Sequence, residues 1–261
     1  MHVRYVARSD AGLDREGNED AGIAGPYVFA VADGMGGHAA GEVASHAVIS
    51  ELANLDGTRG DPLEVLKERF HAANTRIRQL IDDAPARDGM GTTATAVVIA
   101  EDGAPPSRIA LGHIGDSRAY LLRGAQLRQL THDHTLVQAL VDDGEITAEQ
   151  ARSHPARSMV VKALQGQHDV DADLSLVEVE PGDRILICSD GLTDVVADDV
   201  ITRLLTAGST PGQTAQDLID ASLSRGGPDN ITVVLADILE HDAAGSDTGP
   251  STYLVGSAAP E

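Results

Sequence analysis

Residues 27–41, YVFAVADGMGGHAAG, decide how the rest of the chain is read. The apolar part, 27–32, has the length and composition of a buried strand core. A glycine-dense turn follows at once, so Asp33 is delivered to the mouth of that strand beside accessible backbone. A carboxylate in such a place suits a ligand or a metal. An Asp-Gly pair alone is a turn signal, and its meaning depends on what else the chain brings nearby.

The 261 residues suffice for one large domain or two small ones. Apolar residues make up 42% but aromatics only 2%, with no Trp, so the core must be packed from Val, Leu, Ile and Ala. The net charge of −22 has no basic tract to offset it, which excludes nonspecific binding to nucleic acid or an anionic membrane. A single cysteine, Cys188, excludes an internal disulfide and a Cys-rich zinc site and fits a reducing compartment. No apolar leader and no membrane-length stretch is present, so a free cytoplasmic protein is expected.

Outward from Asp33, residues 40–52 carry apolar positions at helical spacing. Asp61, Pro62 and Glu64 then form an N-terminal signature for a second helix, with Leu63, Leu66, Phe70, Ala73, Ile77 and Leu80 on its inner face. The period changes at 92–100, TTATAVVIA, a β-branched strand; a turn at 101–107 and strands at 109–114 and 119–122 continue an antiparallel meander. Residues 131–167 are polar and broken by Gly and Pro. They predict short helices and a mobile cover outside the sheets, with Thr147 and Gln150 as a capping box. Strands at 175–180 and 185–188 follow, then helices at 199–205 and from Thr210 to about 223, and a last strand at 231–236. From about 239 the chain is rich in Gly, Ser, Pro and Ala. It reads as a flexible tail to 261, with a frayed end favoured over docking of Tyr253, Leu254 and Val255.

Five aspartates share the context of Asp33, at the edge of an apolar segment and beside or near Gly, Asn or Ser: Asp20, Asp33, Asp116, Asp190 and Asp229. An acidic chain produces some such coincidences by chance. If the five converge, their repulsion and desolvation require protons or cations. Oxygen-only ligation favours Mg²⁺ or Mn²⁺ over zinc; Ca²⁺ is the alternative, although the chain lacks an EF-hand loop. Two such ions would activate a bridging water and brace the oxygens of a phosphoryl transfer. Arg15, just before Asn18-Glu19-Asp20, offers a planar fork for two phosphate oxygens.

The assembled runs resemble the metal-dependent serine/threonine protein phosphatases of the PP2C (PPM) family in their compact bacterial form. They are Arg15 with Asn18-Glu19-Asp20, VADGMGGHAAGE at 31–42, GMGTTAT at 89–95, GHIGDSRAYLLR at 112–123, THDHTLVQALVDDGEIT at 131–147, GDRILICSDGLTD at 182–194 and GGPDNITVV at 226–234. The resemblance implies an α+β fold, a four-layer α-β-β-α sandwich of two antiparallel sheets, over a domain at 1–238. It implies one metal held by Asp33 and the Gly34 carbonyl with Asp20 through water, a second held by Asp33, Asp190 and Asp229, and a third, weaker site at Asp116 and Asp190. Arg15 matches the phosphate-binding arginine, Glu19 an acidic neighbour that orients water, and 131–167 the flap beside the site.

The implied reaction is hydrolysis of phosphoserine and phosphothreonine in proteins by a metal-bridging hydroxide, with no phosphoenzyme. Implied partners are phosphorylated proteins and the Ser/Thr kinases of the same pathway, with a monomeric enzyme. Animal-type relatives carry a histidine after the Asp-Gly pair; here Met35 stands there and cannot donate a proton. Either metal-bound water supplies that proton or another histidine such as His38 does, and His38 could equally be a structural histidine of the turn. Two rival readings are a phosphoprotein-binding module without turnover and a small-molecule phosphohydrolase. Cys188, inside the run ILIC, suits a core residue and not a nucleophile.

Overall fold

The computed structural model describes residues 2–36, 39–55, 60–99, 108–240 and 252–260. His38, the turn at 101–107 and the stretch 241–251 of the expected tail lie outside the described residues. The apolar run that carries Asp33 becomes β3 (Val28–Met35), preceded by β1 (His2–Asp10) and β2 (Asp20–Ala24) and followed by helices α1 (Ala39–Ala53) and α2 (Pro62–Asp83). The meander consists of β4 (Gly91–Thr92), β5 (Ala94–Val98), β6 (Arg108–Ile114), β7 (Arg118–Arg123) and β8 (Gln126–Gln129). Short helices α3 (Leu136–Asp142) and α4 (Ala148–Arg152) precede β9 (Asp173–Glu178) and β10 (Arg184–Cys188). Then come α5 (Asp190–Thr193), α6 (Asp198–Thr206), α7 (Pro211–Leu223), β11 (Ile231–Leu239) and β12 (Tyr253–Gly256).

The strands form two antiparallel sheets, ordered β1-β11-β10-β7-β8 and β12-β2-β3-β5-β6-β9, with β4 added beside β3. Alternation along β3 shows why they stack. Phe29 and Val31 face the other sheet and meet Ile185, Ile187 and Val234, whereas Ala30 and Ala32 face α1 and α2. Small residues on that outer face let Val48 and Leu52 of α1 and Phe70 and Ile77 of α2 approach closely. On the opposite side, α6 and α7 cover Leu186, Val233 and Leu235 through Ile201, Leu205, Leu218 and Ile219. The result is the expected α-β-β-α sandwich. Each fully buried Leu, Ile, Val or Phe contributes about 1.5–3 kcal/mol, so three aliphatic layers compensate for the scarcity of aromatics.

Local signals behave as their chemistry requires. The Asp61 carboxylate accepts the Leu63 N–H at 3.0 Å, and Thr147 and Gln150 form the reciprocal capping box of α4. The Thr210 hydroxyl accepts the Gln213 N–H at the start of α7. Within 131–167 the chain is pinned where Leu136 N–H donates to the Met159 carbonyl and Val161 N–H to the His134 carbonyl.

The structure departs from the sequence reading in several places: β2, β8 and α5 are additional elements, and two further differences concern the run at 92–100 and the C-terminus. The run at 92–100 is broken at Thr93 into β4 and β5. At the C-terminus, β11 continues through Leu239 and residues 253–256 pair with β2 as an edge strand in place of a frayed end. The open edge of β2 supplies the unpaired backbone groups that make this docking favourable. Among the described residues, no helix is long and apolar enough to cross a membrane.

Candidate metal and phosphate site

The strand ends deliver the acids. Asp20 opens β2 and stands opposite Asp33 in the antiparallel register. Asp116 lies two residues beyond the end of β6, Asp190 two beyond β10, and Asp229 two before β11. Arg15, Glu19, Asp33, Gly34, Asp116, Asp190 and Asp229 all border one cleft of about 730 Å³. Asp20 is only 1% exposed and does not itself line the cleft. The structure therefore brings the sequence-predicted residues together, apart from His38 outside the described chain. Met35 borders the same cleft.

Backbone clamps fix these positions. The Asp33 N–H donates to the Thr93 hydroxyl at 3.0 Å, and the Asp33 carbonyl accepts from Thr93 N–H and from the Thr92 hydroxyl, both at 2.9 Å. This grip explains the break in the β-branched run. Gly34 packs so closely that a Cβ would stand 2.2 Å from the Gly41 carbonyl oxygen and 2.6 Å from that of Glu19. Asn230 ties the polar loop to the start of β11: its amide donates to the Ala11 and Gly17 carbonyls and its oxygen accepts the Glu19 N–H, all at 2.8 Å. His134 holds the turn of Asp116, since its Nδ1 accepts the Gly115 N–H at 3.1 Å and its backbone N–H donates to the Gly115 carbonyl at 2.7 Å. With Nδ1 accepting, Nε2 carries the proton and faces Asp173 at 3.3 Å. Thr93, Asn230 and His134 were missed as functional positions. Their only signal was membership of the short runs around the acids.

Electrostatically the cleft is short of positive charge. Burial, followed by the charges of Asp20, Asp190, Asp116 and Asp229, pushes the Asp33 carboxyl well above the usual carboxylate range. Burial, then Asp116 and Asp194, does the same to Asp190. Burial raises Asp20 to about 7 against the opposing hydrogen bond from the Ser189 hydroxyl, and burial with Asp133 raises Asp116 to about 7. Oδ1 of Asp190 is buried without a hydrogen-bond partner, the one such side-chain atom among the described residues. Arg15 Nη2 reaches Asp229 Oδ2 at 2.7 Å with about half its side chain exposed.

Among the described residues, no three His, Cys, Asp or Glu side chains already converge as a closed ligand set. Mutually repelling acids, an unsatisfied buried carboxylate oxygen and oxygen-only donors nonetheless fit hard divalent ions, which supply the missing charge and bond. Cys188 is fully buried and burial pushes its thiol up to about 12, which excludes it as a nucleophile at neutral pH.

Comparison with known proteins agrees with this geometry. The family model for protein phosphatase 2C matches residues 8–139. The chain is 49% identical over 242 residues to the serine/threonine protein phosphatase PstP of Mycobacterium tuberculosis, covering 92% of this chain and 46% of that protein. It thus spans about half the length of that relative. The serine/threonine phosphatase stp of Listeria monocytogenes is 36% identical over 250 residues, covering 91% of this chain and 96% of that protein. Among solved structures, the catalytic domain of PstP in complex with two manganese ions superposes with a TM-score of 0.85 at 47% identity, covering 92% of this chain and 99% of that one. Shared motifs, a shared sandwich and a full-length bacterial relative together mean that this chain belongs to the protein phosphatase 2C family.

Proposed function

We propose that this chain hydrolyses phosphoserine and phosphothreonine in proteins, using two Mn²⁺ or Mg²⁺ ions and no phosphoenzyme. The observation that carries the reading is the cleft itself. Its aspartates are raised by burial and mutual repulsion, and one carboxylate oxygen is left without a partner. The names of its relatives support a protein substrate.

In this reading Asp33 and the Gly34 carbonyl hold one ion, with Asp20 behind them through water, and Asp33, Asp190 and Asp229 hold the other. A third, weaker position falls to Asp116 and Asp190. When bound, the two ions supply a nucleophilic hydroxide and neutralise charge on the phosphoryl oxygens. The chain's own residues do the rest. Arg15, which here donates to Asp229 at 2.7 Å, would be free to hold two phosphoryl oxygens with its planar fork once Asp229 was engaged by an ion. Glu19, on the cleft wall, orients water. Met35 gives no proton, so the seryl or threonyl oxygen leaves with a proton from water.

The flap at 131–167 borders the cleft through Ser158 and Val160, which suits it to sense the residues that flank a phosphorylated side chain. Such an enzyme opposes the Ser/Thr kinases that made the modification. The test is Mn²⁺-dependent phosphate release from a phosphopeptide beside a nucleotide and a sugar phosphate. Asp33→Asn and Asp229→Asn should each abolish it. Full activity in both variants would overturn the two-metal reading, and preference for the small phosphates would overturn the protein substrate.

A further inference from the structure

The C-terminal strand does more than cover an edge. β12 pairs with β2 so that Gly256 faces Ala21, and the next residue, Ser257, donates its N–H to the Asp20 carbonyl at 2.7 Å. The Ser45 hydroxyl on α1 donates to the Glu19 carbonyl at 2.6 Å and lies 2.9 Å from the Ser257 hydroxyl. A hydroxyl has one proton, so with that of Ser45 directed at Glu19, Ser257 is the donor between the two. His46 Nδ1–H donates to the Ser257 carbonyl at 2.9 Å, and Ala258 is buried in the core beneath α1. Gly256 has φ +65°, and a Cβ there would stand 2.1 Å from the Asp20 carbonyl oxygen. Close approach to Asp20 is therefore built into the turn.

Ser257, which the proposed chemistry does not use, thus holds the Asp20 carbonyl directly and the adjacent Glu19 carbonyl through the Ser45 hydroxyl. We propose that Ser257 is a positioning residue for the Glu19–Asp20 pair, and that the turn at 256–258, by holding the start of β2, sets how tightly the cleft takes its metal ions. The inference rests on the two-metal reading above. Asp20 is the first residue of β2, where the strand would otherwise fray, and the clamp restrains the backbone from which both acids project.

The test uses the full chain. Ser257→Pro deletes the N–H that reaches Asp20. Ser257→Ala deletes only the hydroxyl. Tyr253→Ala loosens the far end of the same strand, where Tyr253 packs edge-on against Tyr5. Mn²⁺ binding is measured by calorimetry without substrate, and amide exchange is followed at 19–22 in metal-free protein. Ser257→Pro should weaken Mn²⁺ binding about tenfold, the scale set by loss of a group that orients metal ligands. It should also speed exchange at 19–22 by at least roughly the same factor, while Tyr253→Ala stays near wild type in both readouts. Ser257→Ala should fall between them. Wild-type binding and exchange in Ser257→Pro would overturn the inference, as would equal losses in Tyr253→Ala, which would mark a general loosening. Asp33→Asn runs in parallel: if it abolishes Mn²⁺ binding while Ser257→Pro does not weaken it, only the clamp fails. If Asp33→Asn still binds Mn²⁺ normally, the metal reading fails instead, and the exchange data alone judge the clamp.

Discussion

Two sets of aspartates are buried to the same degree and treated in opposite ways. Asp133, Asp183 and Asp237 are 8%, 2% and 7% exposed; Asp20 and Asp116 are 1% and 7% exposed. In the first set every carboxylate meets a forked arginine. Arg118 reaches Asp133 through Nε and Nη2, Arg123 reaches Asp183, and Arg184 reaches Asp237 with Nε at 2.6 Å and Nη2 at 3.0 Å. In the second set the partners are neutral hydroxyls, backbone or nothing, and Arg15 on Asp229 is the one ion pair to the cleft aspartates among the described residues. A covalently attached guanidinium completes a structural site permanently. Where the chain withholds it, the charge must come from solution, and binding then switches function on.

The largest expected effect breaks the comparison at one arginine-paired aspartate and at Asp33, which stands opposite Asp20 in the cleft. Asp237→Ala leaves Arg184 buried without its partner, so unfolding free energy should fall by about 3–5 kcal/mol. Activity per folded molecule and the Mn²⁺ requirement should stay unchanged. Asp33→Asn should do the reverse: kcat/KM falls by roughly a thousandfold, about 4 kcal/mol of transition-state stabilisation, while metal-free stability holds or rises. Chemical denaturation beside phosphopeptide turnover separates the two outcomes, and a large stability loss in Asp33→Asn would remove the distinction.

The next effect is a pH dependence of the metal-free protein. Asp20 and Asp116 titrate near 7 in the folded chain and near 3.8 when unfolded, so their neutral forms favour folding. That contribution is fully present below the unfolded value and is lost as pH rises through about 7. Burial works oppositely on His113, lowered to about 4: its contribution is present above the unfolded value of 6.5 and is lost as pH falls through about 4. Between pH 8 and 6.5 the carboxylates dominate. Stripped protein should therefore become more stable on acidification across that window, by several degrees in Tm, and saturating Mn²⁺ should abolish or reverse the trend. A flat metal-free profile from pH 8 to 6.5 would count against a cleft starved of charge.

Arg15→Ala sharpens the one mixed case, an arginine already inside the cleft. It should raise KM for phosphopeptide about tenfold or more, and Arg15→Lys should restore only part, because an ammonium cannot form the fork. Equal rescue by Lys would assign Arg15 to Asp229 alone. The smallest effect concerns the flap. Exchanging residues 142–158 should change preference among phosphopeptides several-fold while hydrolysis of a small chromogenic phosphate stays within about twofold, since only longer substrates reach beyond the cleft.

Much of this was legible without coordinates. Helical stripes in α1 and α2, the helix starts at Thr147 and Thr210 and the aspartate-ended strands follow from local period and turn chemistry, which act over a few residues. The acids themselves could be named because each sits in a short run whose composition is unusual. What was not legible depends on partners far apart in sequence. β10 lies between β7 and β11, and no periodicity announces which strand it will choose. β8 has mostly exposed residues and no alternation, α5 is only one turn long, and β12 is a four-residue run in a Gly-, Ser- and Ala-rich tail until the edge of β2 receives it.

The sequence by itself determined most of the strands and helices, the aliphatic core and the identity of the acids and Arg15, because each is written in neighbouring residues. Only the tertiary structure decided that Asp20 stands opposite Asp33 and that Thr93, Asn230 and His134 hold the backbone of the cleft. It alone decided that Asp133, Asp183 and Asp237 receive forked arginines while, among the cleft acids, only Asp229 pairs with one. Those outcomes are sums of contacts between residues tens to hundreds of positions apart, which exist only once the two sheets have closed on each other.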